Sequence, residues 1–561
     1  MPVKNRFHHV LAVGSILIAL HAAPVMNAHA QSPVSAEQLL NERTSVSGTI
    51  QYTLSTKMVR KSLKEVAAIE SFYLSRNYEP YWVRKSGVRS NAKDLVEILE
   101  QSWQHGLNPY SYHLKNIHNL IGSRDEAQLA DLDVLLTDAF VRLGQDLSGI
   151  RVDPRFMKSH KRYWKAPFTG EYLLERLDQQ RNVERLVKSL EPRGQTYKRL
   201  QKELVQLVDT QPEAYEAVLP IRTRSRVVYP NNRDRAIPDI RTRLGVEALP
   251  GVDPLLYDDR LAGAVIRFQR DNNVKDDGII GAQTLDLLNR SRAQKIEQLI
   301  ANLERLRWVE EDKPDKFVVV NVPSAMLWAV EDGRVAFEMD VIVGRKKRPT
   351  NIFRTEIHGV RLNPDWTVPP TIKKDDILPK LQEDPEYLTN KGMQLISGYG
   401  DEAMTLDPLA FDWNSITEEE LTGLRMVQIP GRHNPLGEIR VLMPNGYNIY
   451  LHDTNERHYF ERANRAASSG CVRMKDPVRM ANFILQERSG WGDDSLEQLL
   501  GGEKTRDIFI ENTIPVYLLY YTVWANTAGE LVYGRDLYEF DKNLIKMLRD
   551  IDGIFIPVDN T

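Results

Sequence analysis

The chain has 561 residues, more than one ordinary core of about 100 to 200 residues organises, so several domains are expected. Apolar residues make up 42% and charged residues 27%, which excludes a disordered or fibrous protein. A formal charge of -3 leaves no overall field to recruit nucleic acid or an anionic membrane surface, and neither is expected as a partner.

Lys4 and Arg6 precede an apolar run from Val10 to Leu20, and Ala28-His29-Ala30 supplies the small-x-small pattern that signal peptidase reads. Residues 1–30 therefore read as an export signal cleaved after Ala30, the run being short for a bilayer that needs about 20 apolar residues. Membrane contact is expected only through this segment, if it is retained. Export makes cysteine usage informative, because stabilising disulfides need pairs and the chain holds one cysteine, Cys471. A lone thiol is either an inert buried side chain or a reactive one, and its neighbours decide which.

Residues 45–230 show apolar spacings of three and four, as in Leu95-Val96-Leu99 and Leu132-Val134-Leu135-Ala139-Leu143, which predict an all-helical scaffold domain. Turn signals at Gly106-Leu107-Asn108-Pro109 and Pro192-Arg193-Gly194 divide it, and polar Pro230 to Arg235 marks its end. In residues 236–290, Asp258 caps a helix carrying Leu261, Val265, Phe268 and Gln269, Asp277-Gly278-Ile279-Ile280-Gly281 makes a turn, and Thr284, Leu285 and Leu288 share a last helix. A helix ending in Phe-Gln, an Asp-Gly-x-x-Gly turn and a Thr-Leu helix resemble the three-helix peptidoglycan-binding domain. Ile296, Leu299, Ile300, Leu303 and Leu306 form one stripe, which predicts a linker helix within 291–313.

After Pro314 the period changes. Lys316–Val322, Val335–Val343, Glu438–Met443 and Asn448–Asp453 are β-rich runs, so residues 315–525 read as a mainly β domain, with 526–561 as a C-terminal extension. The charged, turn-rich stretch 371–425 interrupts its strands and has the length of an inserted cap or lid.

His452 and Cys471 fall in this domain, 19 residues apart. Gly470 keeps a Cβ out of the path of an incoming carbonyl, and an imidazole beside a thiol converts it into a nucleophile. The runs His452-Asp453-Thr454 and Ser468-Ser469-Gly470-Cys471-Val472-Arg473 resemble the signature of the L,D-transpeptidase (YkuD) catalytic domain. Asn434-Pro435-Leu436-Gly437 matches the family's pre-catalytic turn, and Asn363 to Pro370 its proline-rich substrate loop. Many members carry His where this chain has Ser469, so no second imidazole beside the nucleophile is expected. With its helical scaffold, peptidoglycan-binding domain and insertion, the chain is similar to the large YcbB-type periplasmic branch. The fold class expected is multidomain: an all-α scaffold plus a three-helix peptidoglycan-binding domain, then a mainly β, YkuD-type catalytic domain with an inserted capping subdomain.

The resemblance implies a periplasmic cysteine acyltransferase. Cys471 attacks a tetrapeptide stem of peptidoglycan, terminal D-Ala leaves, and an amine of a second stem resolves the thioester into a 3-3 crosslink. Donor and acceptor stems are the partners, with peptidoglycan synthases as further candidates. No cofactor and no metal are expected, since no His-Glu-x-x-His is present and one cysteine builds no thiolate zinc site. His452 is the base, the Asp453 carbonyl orients it, and the N–H groups of Gly470 and Cys471 are candidate oxyanion donors with the Tyr450 hydroxyl. Tyr450 is otherwise a strand-packing aromatic. Arg473 either grips a substrate carboxylate or makes a structural ion pair. Ser469, Trp366 and Trp413 are placed on the substrate side, each Trp being alternatively a core residue. The same acyl-enzyme serves a carboxypeptidase or a lipoprotein-anchoring transpeptidase, and a non-catalytic wall-binding scaffold is the rival from another class.

Overall fold

The computed structural model of the protein describes residues 45–557, apart from 181, 210–219, 273, 311–312, 399, 463, 487, 489–490, 493–495 and 527. The expected export signal lies outside the described residues. Among them, no helix is long and apolar enough to cross a membrane.

Helices α1 (Val46–Ser55), α2 (Val66–Ser75), α3 (Ser90–Glu100), α4 (Glu126–Ser148), α5 (Gly170–Gln179) and α6 (Val183–Leu190) build the scaffold around one apolar core. Long α4 runs through its middle and buries even a carboxylate, Asp133, which is satisfied by the N–H groups of Tyr81, Trp82 and Val83 and by the Tyr73 hydroxyl. Helix α7 (Gln195–Asp209) leaves this core, and its Tyr197, Leu200 and Leu204 pack with the β domain instead.

Helices α8 (Ile237–Arg243), α9 (Asp259–Asp271) and α10 (Ala282–Leu288) form the three-helix unit. Its motif has a physical basis in Gln269, which is buried at the end of α9. The side chain accepts the Gly278 N–H at 2.8 Å and donates to the Ile279 carbonyl at 2.9 Å and to Thr284 Oγ1 at 3.0 Å. One amide thus staples the turn to both helices.

Helix α11 (Arg292–Leu306) starts in a Ser291/Gln294 capping box and is no free linker, since it joins the β domain's core. That core is a closed ring. Strands β1 (Lys316–Asn321), β2 (Met326–Glu331), β3 (Arg334–Gly344) and β4 (Phe353–Leu362) precede the insertion. Within the insertion lie β5 (Trp366–Thr367), β6 (Met393–Ser397), β7 (Met404–Leu406) and β8 (Leu424–Gln428). Then follow β9 (Ile439–Leu442), β10 (Leu451–His452), β11 (Ala466–Ser468), β12 (Val472–Met474), helix α12 (Pro477–Leu485) and β13 (Arg506–Leu519). The sheet order is β11-β3-β12-β10-β9-β4-β13-β1-β2, and β2 also pairs with β3, which closes it.

The insertion folds as a cap with its own four-stranded sheet, in the order β5-β8-β6-β7, and its own core of Val368, Leu381, Leu388, Leu395, Trp413 and Met426. It leaves the ring after Leu362 and returns at Ile439, and these two residues are register partners. The stretch read as a C-terminal extension belongs to the ring's core. Strands β14 (Val523–Ala525) and β15 (Leu531–Tyr533) pair, and helix α13 (Phe540–Ile551) buries Phe540, Leu544 and Leu548 with α11. Its Asp541 pairs with Arg305 of α11 and accepts the Thr522 hydroxyl at 2.5 Å.

Scaffold and ring meet over a buried charge cluster. Glu304 takes Arg151 Nε at 2.9 Å, Arg307 Nη2 at 2.5 Å and the Trp308 indole N–H at 3.0 Å. Arg307 also donates to the His105 carbonyl at 2.9 Å. Burial works against the Glu304 charge, but Arg151 and Arg307 overcome it and hold the carboxyl at about 2.

Candidate active site

Cys471 sits between β11 and β12 on a turn that its neighbours lock. Ser468 Oγ donates to the Cys471 carbonyl at 2.6 Å and accepts the Gly470 N–H at 3.1 Å. Thr350 Oγ1 donates to the Gly470 carbonyl at 2.8 Å and accepts the Gly344 N–H at 2.9 Å. Gly470 has φ +121°, a conformation that side chains disfavour, which is why glycine stands there. Because the Gly470 N–H is engaged by Ser468, that donor is not free for an oxyanion in the resting site. The Cys471 N–H and the Tyr450 hydroxyl have no hydrogen-bond acceptor among the described residues.

His452 is 4% exposed on β10, and its Nδ1–H donates to the Asp453 carbonyl. A carbonyl only accepts, so Nδ1 carries the proton and Nε2 keeps its lone pair. Burial first, and Arg473 next, lower the imidazole from its ordinary 6.5 to about 3 against the pull of the Asp453 carbonyl, so it rests neutral. The Asp453 side chain has another task. Its carboxylate accepts the Glu438 N–H at 3.0 Å and pairs with Arg457 at 3.1 Å, closing the Asn434–Gly437 turn. A Cβ on Gly437 would stand 2.2 Å from that carboxylate, which explains the glycine.

Strand register places the reactive groups. His452 partners Arg473 on β12, and Val472 N–H donates to the Tyr450 carbonyl at 2.9 Å, so Cys471 lies beside Tyr450. The thiol is partly exposed and donates weakly to the Asn448 carbonyl at 3.7 Å. Burial pushes it above the usual thiol value, while the Tyr450 amide and the guanidiniums of Arg440 and Arg473 pull it back. The register thus sets the protonated thiol one strand pair from the neutral imidazole, an arrangement in which a proton can pass from sulfur to nitrogen as a thiol attacks.

Arg473 makes an ion pair, with Nη1 at 2.6 Å from Glu456. Ser469 accepts Arg348 Nη1 at 3.2 Å; Arg348 also grips Asp375 at 2.9 Å, and Asp376, in the cap. Trp366 lies half-buried on β5 against the cap's core. Trp413 corrects the expectation of a groove-lining ring. It is 2% exposed inside the cap's core, stacked on Phe411 with its indole N–H on the Pro408 carbonyl at 3.0 Å, so it supports the cap from within.

Ser468, Thr350, Arg348 and Arg440 were not singled out from the sequence. Arg440 on β9 lies opposite His452, with its guanidinium 3.7 Å over the Tyr450 ring. Only the alternation of β9, apolar at Ile439 and Val441 with Arg440 between, hinted at a polar residue on the open face. Among the described residues no group of three or more His, Cys, Asp and Glu side chains is gathered for a metal ion.

Residues 315–506 match the family described as the L,D-transpeptidase catalytic domain, 67–204 a scaffold domain, and 243–288 the "Putative peptidoglycan binding domain". The "Putative L,D-transpeptidase" of Haemophilus influenzae is 34% identical over 255 residues, 45% of this chain and 50% of its own length, so the chain spans about half of that curated relative. Among solved structures, the chain is similar to an L,D-transpeptidase from Mycobacterium smegmatis (10% identity, 36% of this chain and 58% of that one, TM-score 0.19). It is also similar to one from Stackebrandtia nassauensis (16% identity, 50% and 97%, TM-score 0.18). By the family models, then, residues 315–506 match a YkuD L,D-transpeptidase catalytic domain, and the chain before them matches a scaffold domain and a peptidoglycan-binding domain.

Proposed function

We propose that the protein is an L,D-transpeptidase that forms 3-3 crosslinks between peptidoglycan stems through a thioester on Cys471. The observation that carries this reading is the chain's only thiol set by strand register one pair from a neutral, carbonyl-oriented His452, inside a domain matched to that family. Cys471 Sγ attacks the carbonyl of the stem's diamino acid while His452 Nε2 takes the thiol proton. The Cys471 N–H and the Tyr450 hydroxyl are the donors for the tetrahedral oxyanion. His452 then hands its proton to the amine of terminal D-Ala, which leaves as the C–N bond breaks. An amine from a second stem attacks the thioester, restores the thiol and leaves a new amide. Water in its place would make the enzyme a carboxypeptidase.

The peptidoglycan-binding domain supports an extracytoplasmic site of action. Incubation with disaccharide-tetrapeptide, read by mass, tests the proposal. The wild type should give the crosslinked dimer with loss of D-Ala, and Cys471→Ala should give none while keeping its fold. A wild type that yields neither dimer nor acyl adduct would overturn it. A carbapenem should likewise add its mass to the wild type and not to Cys471→Ala.

A further inference from the structure

The strand register lays a row of charged side chains across the face that holds the nucleophile. Arg473 partners His452, His452 partners Arg440, Arg440 partners Arg361, and Arg361 partners Asp507. Each outer guanidinium has its acid: Arg473 holds Glu456 at 2.6 Å, and Arg361 forks onto Asp507 at 2.6 and 2.7 Å. The central one does not. Arg440 makes no ion pair among the described residues and its Nε is buried without a hydrogen-bond partner; its guanidinium lies over the Tyr450 ring, while Asp365, Asp507 and the Cys471 thiol act on it only from beyond ion-pair distance. A cation partly out of water and left without an acid is costly, and such a site favours an anionic ligand.

The proposed reaction says where that anion lies. The amine that His452 protonates is two bonds from the carboxylate of the residue that leaves. Cross-strand neighbours stand about 5 Å apart, so a carboxylate next to His452 reaches the cation on the adjoining strand. On one side that cation is Arg473, already neutralised by Glu456; on the other it is Arg440. We propose that Arg440 receives the free α-carboxylate of the leaving residue and so positions the donor stem's terminus against His452. This rests on the acyl-transfer reading for the identity of the ligand, and on the register alone for the position of the cation.

Two thiol reagents test the cation without any peptidoglycan. Iodoacetate and iodoacetamide alkylate Cys471 by the same displacement of iodide and differ in the carboxylate. Arg440→Gln should lower the ratio of their rate constants by about tenfold, the worth of one charge-assisted contact. Arg440→Lys, which keeps the charge and loses the fork, should lie between. The double variant Arg473→Gln/Glu456→Gln, which removes a neutral pair, should leave this ratio within about twofold of wild type even where both absolute rates change. Equal slowing of both reagents in Arg440→Gln would show that Arg440 only tunes the thiol, and an unchanged ratio in folded protein would show that it meets no carboxylate; either overturns the proposal. On substrate, a tetrapeptide ending in a carboxamide should acylate the wild type about tenfold more slowly than the free acid, and Arg440→Gln should not distinguish them. A peptide that fails to acylate while the alkylation ratio still shifts would refute the acyl-transfer reading and spare the cation.

Discussion

At the scale of single residues, the resting protonation of Cys471 and His452 governs how the thiol meets pH. Burial keeps the thiol above its ordinary 9.0, and burial with Arg473 keeps the imidazole at about 3. Across neutral pH the thiol therefore holds its proton and the imidazole has none. Without substrate, alkylation by iodoacetamide should climb about tenfold per pH unit through pH 9, in step with the thiolate fraction. A plateau reached near pH 6 or 7 would mean a preformed thiolate–imidazolium pair and would contradict this structure. Cys471, Gly470 and His452 could be picked out as candidates because their signal is local, a few contiguous residues around each, although the engagement of the Gly470 N–H by Ser468 was not readable there. Thr350 was not, since its hydroxyl reaches Gly470 from 120 positions away. Arg440 became meaningful only once register set it against His452.

At the scale of elements, the loop from β3 to β4 joins the cap to the nucleophile. Arg348 holds the cap's Asp375 and Asp376 on one side and Ser469 on the other, while Thr350 two residues on holds Gly470. Arg348→Ala should release the cap segment 373–377 first. Hydrogen exchange there should quicken about fivefold, the worth of a modest surface pairing, with little change in the ring's strands. Added salt should narrow the difference from wild type. The insertion was visible as a break in β patterning, but not its sheet, because short strands such as β5 and β7 carry too few residues to show an alternation. The same shortage of pattern left Trp413 open between groove and core.

Across the whole molecule, the joint between scaffold and ring hangs on Glu304. Removing its charge leaves buried Arg307 without an acid and Arg151 with only Asp146 and Asp552; breaking a buried pair in this way costs about 3 kcal/mol or more, so Glu304→Gln should lower the melting temperature by several degrees. Acid should act on the same joint. Glu304 sits at about 2 against an ordinary 4.5, so its contribution is full above pH 4.5 and lost as pH falls towards 2. His105, lowered to about 3 by burial and then by Arg307, resists the proton that the unfolded chain accepts below 6.5, which also destabilises as pH falls. Melting temperature followed from pH 7 to 3 should fall throughout, and Glu304→Gln should flatten the part below 4.5. The helical scaffold, the three-helix unit and the β ring were readable from period and motif. That α7, α11 and α13 belong to the ring's core was not, because Arg305 and Asp541 lie 236 residues apart and nothing local announces their meeting.

The pairing of Leu362 with Ile439 has a consequence for how such a chain can vary. Because the cap departs and returns between two hydrogen-bonded neighbours, it is topologically the loop of a hairpin. A hairpin tolerates loops of many lengths, since closing a longer one costs only slowly growing entropy. The cap can therefore be enlarged, trimmed or exchanged as a cassette, while the strands that present His452 and Arg440 keep their alignment.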